Sequence, residues 1–463
     1  MNLRAPGNPA WAPRVGTTRV GTTVLSEMRA AQRTSSPRPS RSSVIPWLLL
    51  AALMVAPLAG CGSGSSTSAS GAPIVNWYIG SEGWLPAVIK ACNAKAGGAY
   101  ELKSASLPTN PDSQREQLVR RLAAKDASID LIGMDVVWTG EFAQAGWISP
   151  FAQGELKNVG TAEQVLKGPF DSAQTNGKQY GAPLNSNTRL LWYRKSKLGD
   201  NPVPQTWDQL LDTADKLGTK VQETGKRSEA LVVFFNALEE SAGGHIVSIA
   251  GDGKAQVDLA EAPTMKALQI MQRFATSKAA PTALSTSGED DNRLAFQAKD
   301  SGSAFMINWP FVYPSALKAD PTLAQDYGVA PYPQVVAGTP AKAPLGGYNL
   351  GVGAFTKNRP AALAAINCLT EADQQRTIAT TGGQPSVLRS LSDDAAIREK
   401  LPFLPLMTQQ LETAAPRPVT PNYNDISLAV RQVLHPLSDI NPPSTYPALR
   451  DLIKRALASQ AVL

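Results

Sequence analysis

Short apolar runs that alternate every second residue are followed, along most of this chain, by longer segments whose apolar positions recur every three to four residues. "APIVNWYI" (72–79) reads as a strand and "GWLPAVIKACNAKAG" (83–97) as a helix stopped by Gly97-Gly98. "YELKSASL" follows as a second strand, and "DSQREQLVRRLAAKDA" (112–127) as an amphipathic helix with Leu118 and Leu122 inward. "IDLIGMDVVW" (129–138) reads as a buried strand, completing a β-α-β-α-β order that predicts a mostly parallel sheet covered by helices. Later come "RLLWYR" (189–194), the helix "TWDQLLDTADKLGT", the apolar stretch "EALVVFFNALEESAGG", the helix "APTMKALQIMQRFATS" and the strand "GSAFMINWPF" (302–311), which runs into a helix start. No repeat, heptad or second membrane segment interrupts this α/β pattern.

The N-terminal part breaks it. Val44 to Gly60 is a run of 17 uncharged residues behind Arg29, Arg33, Arg38 and Arg41, and it contains Pro46 and Pro57. That is marginal for a spanning helix and fits the apolar core of a secretory signal. The run ends in "LAGC", so residues 1–60 read as a lipoprotein signal, Cys61 as the acylated residue and 61–73 as a Ser/Gly tether. The competing reading, a packed cysteine after a membrane helix, fits poorly with the small uncharged residues that follow. Met28 would give a more conventional start than Met1.

Removing 1–60 changes the charge. The whole chain has 44 basic and 38 acidic residues, but seven Arg and one Glu lie in the leader, which leaves 37 of each. A neutral exported chain offers no electrostatic footprint for nucleic acid, and its contact with the membrane is expected through the lipid. The roughly 403 residues that remain are enough for two domains with separate cores. With Cys61 acylated, Cys92 and Cys368 are left, and in an exported protein they are expected to form a disulfide; two separately buried thiols are the alternative.

Candidate chemistry is sparse. The two histidines, His245 and His435, are not spaced for a metal, and there is no nucleophile elbow or phosphate-cradling glycine loop, so neither metal nor cofactor is expected. Asp135, Glu141, Glu229 and Glu289 supply carboxylates for a two-acid glycosidase whose geometry a sequence does not reveal. More informative are six segments that set a planar polar side chain beside an aromatic one: "SEGW" (81–84), "MDVVWTGEF" (134–142), "PLNSNTRLLWY" (183–193), "INWPF" (307–311), "LGGYN" (345–349) and "APRPVTPNY" (415–423). Aromatic planes cover the C–H faces of pyranose rings, while carboxylate, amide and guanidinium groups bridge neighbouring hydroxyls. Together these segments point to a sugar cleft. Taken singly, Glu229 also reads as a helix-start carboxylate, Gly346-Gly347 as a turn and Phe311 as packing beneath Trp309.

"MDVVWTGEFAQAGW", "NSNTRLLWYR", "LVVFFNALEESAGG", "RLAFQ", "INWPF", "LGGYNLGV" and "RPVTPNY", in unbroken order from about residue 74, resemble the extracellular solute-binding lipoproteins of ABC sugar importers, nearest to the trehalose-binding lipoproteins of actinobacteria. The resemblance implies a bilobed periplasmic-binding-protein fold of the maltose-binding-protein type. One lobe would be 74–183 plus 333–385 and the other 186–332 plus 386–463, with a hinge near Pro183 to Asn187. Both Cys92 and Cys368 would then lie in the first lobe.

It also implies a ligand set. Asp135, Asn187, Glu289 and Arg417 would bind hydroxyls, Trp309 would stack on a ring, and Gly347 would let backbone approach the sugar. Glu82 and Trp84 would reach the cleft from a loop, and Trp84, Tyr348 and Phe234 depart from the nearest relatives, which bears on the exact sugar. The implied role is a non-enzymatic, lipid-anchored subunit on the outer face of the cytoplasmic membrane. It would act as a monomer and deliver a disaccharide, trehalose by preference, to a permease driven by a separate ATPase. Another oligosaccharide or a glycerophosphodiester is the alternative cargo, and a surface glycosidase the alternative activity.

Overall fold

A computed structural model describes residues 71–250 and 254–460; the expected signal sequence, the Cys61 lipidation site and most of the tether lie outside the described residues. Two sheets organise the chain. The first has the strand order Glu101–Leu107, Ile74–Gly80, Leu131–Asp135, Leu345–Gly353, Ile148–Ser149, with Ala182–Thr188 also paired to Leu345–Gly353. Its first three strands are parallel and the late strand Leu345–Gly353 is antiparallel to them. The second has the order Tyr327–Ala330, Leu190–Arg194, Ser303–Asn308, Lys220–Gln222.

Strand alternation fixes which side each residue faces. Val75, Trp77, Ile79 and Leu131 lie in one buried cluster with Trp192 and Met306, while Tyr78, Ile132 and Met134 lie in another with Leu191, Phe305 and Ile307. Each cluster thus contains residues from both sheets, and the cores divide by sheet face. This corrects the expectation of one core per domain: strands that cross directly from sheet to sheet carry the alternation with them.

Two other expectations change. The strand ends at Asp135 rather than Trp138, because the Asp135 carboxylate accepts the Val137 N–H at 3.3 Å and turns the chain into the helix Trp138–Gln144. The apolar stretch at 229 is the helix Glu229–Ser241, apolar around most of its circumference because nearly all of it is buried. Ala182–Thr188 is paired with Leu345–Gly353 up to Thr188, and Leu190–Arg194 then belongs to the second sheet, so Arg189 links the two sheets. Val387 and Leu388 pair with residues 165–166. Ala415 hydrogen-bonds Ala343 and Leu345, laying two crossing segments side by side.

Cys92 and Cys368 are joined, with S–S 2.08 Å and Cα–Cα 5.8 Å, and connect the helices Leu85–Ala96 and Arg359–Leu369 on the first lobe.

The second lobe buries a carboxyl that serves no visible site. Glu239 is fully buried, receives the Thr264 hydroxyl at 2.9 Å on Oε1, and leaves Oε2 without a partner. Burial pushes its pKa up to about 8 from 4.5. A carboxyl raised in the folded state stays neutral below that value, so wild type loses stability as pH rises from about 4.5 toward about 8. Glu239→Gln cannot ionise. It is expected to gain on wild type across that interval, by about 1–3 kcal/mol at pH 8, in thermal unfolding. An equal shift at pH 5 and pH 8 would remove ionisation as the cause.

Candidate functional site

The strands Ile74–Gly80, Leu131–Asp135 and Ser303–Asn308 end at one cleft of about 480 Å³, the position at which open α/β sheets bind ligands. The volume falls within the range of small-molecule sites, about 300–1,000 Å³. Its walls come from the first sheet, from Trp309 just past the end of Ser303–Asn308, and from the N-terminal turns of three helices, Pro111–Ala123, Glu229–Ser241 and Glu289–Gln297. Acidic side chains open the last two, where the helix dipole favours negative charge.

Arg417 is the hub of one wall. Its side chain is 2% exposed, and its guanidinium donates to Glu229 Oε1 and Asp135 Oδ1, both at 2.6 Å. Glu229 also accepts from the Tyr423 hydroxyl and, at 2.7 Å, from Ser427 Oγ. Burial works against the charge on Arg417, but Asp135 and Glu229 outweigh it and hold its pKa above the ordinary value. Burial pushes the Asp135 carboxyl upward, with Arg417 pulling it back. Glu229 is therefore a helix-start carboxylate that also fixes Arg417. One guanidinium holds Asp135 and Glu229 together, which leaves neither poised alone as a general acid.

Arg189 has the same role on the facing wall. It is 1% exposed, donates to Glu223 at 2.8 Å and to Glu289 at 2.9 Å, and sits 5.3 Å from the Trp309 ring centre. Trp309 Nε1 donates to the same Glu289 oxygen at 2.5 Å, so indole and carboxylate are set as one unit. Gly346 provides the space: a Cβ there would lie 2.8 Å from the Trp309 ring and would collide with Asn187 Oδ1.

The expected residues Asp135, Asn187, Glu289, Trp309, Gly347, Tyr348, Arg417 and Glu82 all line this cleft, and Phe311 lines it while packing on the core. Gly346 and Gly347 lie inside the strand Leu345–Gly353 and not in a turn. Gly347 has φ +134° and a Cβ there would strike the Asn185 carbonyl, so this point of the strand pair favours glycine.

Trp84 is not in the cleft. It is fully buried, 6.0 Å from Trp77 by ring centres, and packs against Gly382. Glu141 is also elsewhere, donated to by Arg115 Nε at 2.9 Å. Phe234 is core, against Trp207.

Sequence reasoning missed Arg189, Gln384 and Lys226. Arg189 had a usable signal, since a lone cation opening an apolar strand is costly unless paired. Gln384 and Lys226 had none, because loop position alone brings them to the site.

The chain matches the family described as "Bacterial extracellular solute-binding protein" over residues 107–376. A probable ABC transporter-binding protein of Deinococcus radiodurans is 29% identical over 357 residues, 72% of this chain and 81% of the relative. Maltose-bound MalE3 of T. maritima has a TM-score of 0.73 at 26% identity, covering 83% of this chain and 98% of that one. The GacH receptor of Streptomyces glaucescens, solved unliganded and with acarbose, gives 0.73 at 19% identity over 84% and 99%. The fold is accordingly the bilobed maltose-binding-protein type.

Proposed function

We propose that this chain, which belongs to the bacterial extracellular solute-binding protein family, is the lipid-anchored capture subunit of an ABC importer and that its cargo is trehalose or a closely similar disaccharide. The observation that carries the cargo class is the wall of Trp309 and Glu289, an aromatic plane and an acceptor fixed edge to edge by buried Arg189. Such a unit covers a pyranose face while its carboxylate accepts from the ring's hydroxyls.

The opposite wall adds Asp135 and Arg417, so a ligand touching both would favour closure of the lobes, because only the closed state makes both sets of contacts. The relatives support the class, since two similar structures were solved with maltose or acarbose. Charge argues against a phosphodiester. Glu82, Asp135, Glu229, Glu289, Asp290 and Asp291 face the cleft, and of its cations Lys226 and Arg417, the second is engaged by carboxylates. Preference for trehalose itself rests on the sequence resemblance.

Calorimetric titration of the chain from Ser63 onward, one compact unit, with trehalose, maltose, sucrose and glycerophosphocholine tests the cargo. Micromolar binding of trehalose alone is expected; binding of another member reassigns the cargo, and silence across the panel sinks the sugar reading. Trp309→Ala is expected to weaken binding by about 1–3 kcal/mol with the fold retained, and an unchanged affinity would remove Trp309 from the site. Cys61→Ala is expected to move the protein from the membrane to the soluble fraction; continued sedimentation with membranes would argue against the lipid anchor.

A further inference from the structure

Among the carboxylates lining the cleft, Glu82 is held differently from its neighbours. Asp135 and Glu229 share Arg417, Glu289 has Arg189, Asp290 pairs with Arg293, and Asp291 caps the Gly288 N–H. Glu82 makes no ion pair among the described residues. It accepts from two neutral donors, the Tyr348 hydroxyl at 3.1 Å and Gln384 Nε2 at 3.2 Å.

The direction of the Gln384 bond is forced. An indole N–H and a backbone N–H can only donate. Trp84 Nε1 donates to Gln384 Oε1 at 3.1 Å, which turns the Gln384 amide so that its NH₂ faces Glu82. The Tyr348 N–H donates to Asn185 Oδ1 at 2.9 Å, which turns the Asn185 NH₂ onto the same Gln384 oxygen. The ring closes on itself, because Tyr348 supplies backbone at one end and hydroxyl at the other. Gln384 therefore presents Glu82 only with a donor, the Tyr348 hydroxyl donates to it while it is ionised, and Glu82 lines the cleft.

We propose that Glu82 is a proton-responsive contact for the solute, and that Trp84, Asn185 and Gln384 are positioning residues that aim its carboxylate. The proposal rests on the cargo reading above, in that it assigns Glu82 to a ligand hydroxyl. Burial pushes Glu82 up to about 7, with Tyr348, Gln384 and Trp84 pulling it back. The charged groups nearest this ring are Asp135 and Glu289, which face the Tyr348 hydroxyl; both are acids, and each is already paired to arginine. Lys226 and Arg417 are the cleft's cations, and neither pairs with Glu82.

An ionised Glu82 accepts a charge-assisted bond from a ligand hydroxyl. A protonated one has lost that charge; the Gln384 NH₂ can still only donate to it, while the Tyr348 hydroxyl can turn to accept its proton. Affinity therefore falls as pH drops, and solute binding at neutral pH expels a proton.

The test follows two readouts on the chain from Ser63 onward. The first is the carboxyl resonance of ¹³C-labelled glutamate, assigned to Glu82 by its loss in Glu82→Gln and followed from pH 4 to 9 without ligand. The second is the trehalose dissociation constant at pH 5.5 and 8, with buffers of different ionisation enthalpy to count protons released. A midpoint within about one unit of 7 is expected. The constant should be about fivefold to thirtyfold higher at pH 5.5, and the dependence should be lost in Glu82→Gln.

Gln384→Met should raise the midpoint and weaken binding at pH 8, and Trp84→Phe should do the same to a smaller degree, effects that a purely packing role would not produce. A midpoint near 4.5, or a pH dependence that survives Glu82→Gln, overturns the proposal. If no sugar binds at any pH, the cargo reading fails separately, and the carboxyl midpoint alone upholds or overturns Glu82 as the proton-responsive group.

Discussion

Arg417→Met is expected to abolish micromolar solute binding and to cost the fold about 3–5 kcal/mol, the largest effect of any single substitution in the cleft. The reason is what it leaves behind. Arg417 is buried and neutralises Asp135 and Glu229 at once, with Tyr423 and Ser427 holding Glu229 in place. Without the guanidinium, two carboxylates stand side by side with no counter-charge, and one must take up a proton or draw in water. Removing the whole triad is a different matter, since replacing a buried ion network by neutral groups is often neutral for stability. Arg417→Met/Asp135→Asn/Glu229→Gln should therefore recover most of the denaturant midpoint while trehalose titration stays silent. If the triple variant remains as unstable as the single one, Arg417 holds the lobes by packing rather than charge. Arg417→Lys should not substitute, because an ammonium cannot reach two carboxylates in the guanidinium's fork geometry.

Replacing both Cys92 and Cys368 by Ala is expected to lower stability by about 2–5 kcal/mol in denaturant unfolding, without changing solute affinity. The bridge spans a sequence separation of 276, so it restricts a long stretch of the unfolded chain, and the cost of closing a loop grows with its length. It joins two helices on the first lobe, and neither cysteine lines the cleft. A loss of affinity in the folded double variant would mean that the cross-link also sets the cleft geometry.

Much of the frame was legible because it follows from periodicity. Val75, Trp77 and Ile79 against Tyr78 repeat every second residue, and the sheet sorts them onto opposite faces in that order. Leu118 and Leu122 recur at helical spacing and are buried as such. The cleft residues were reached by a different route, through aromatic and planar polar side chains at strand ends, where open sheets place ligands. Asp135 and Trp309 fit that description in one dimension as well as in three. Strand propensity misled at Val136-Val137-Trp138, because a local bond from the Val137 N–H to the Asp135 carboxylate outcompetes a ladder bond that the edge of the cleft does not offer.

"SEGW" shows where sequence stops. Glu82 and Trp84 lie two residues apart and looked like one recognition unit, yet one lines the cleft and the other is fully buried. Trp84 packs against Trp77 and against Gly382, a residue about 300 positions away, where only a missing side chain leaves room for the indole. The pairings of Arg189 with Glu289, and of Arg417 with Glu229, were decided the same way, by crossing strands that bring distant charges within bonding distance. The sequence by itself determined the α/β alternation, the family and the residue types of the cleft, because those depend on local periodicity and short motifs. Only the tertiary structure decided which charge neutralises which and which aromatic lines the cleft. Burial and pairing energies depend on distances between segments far apart in the chain, and no spacing along the chain encodes them.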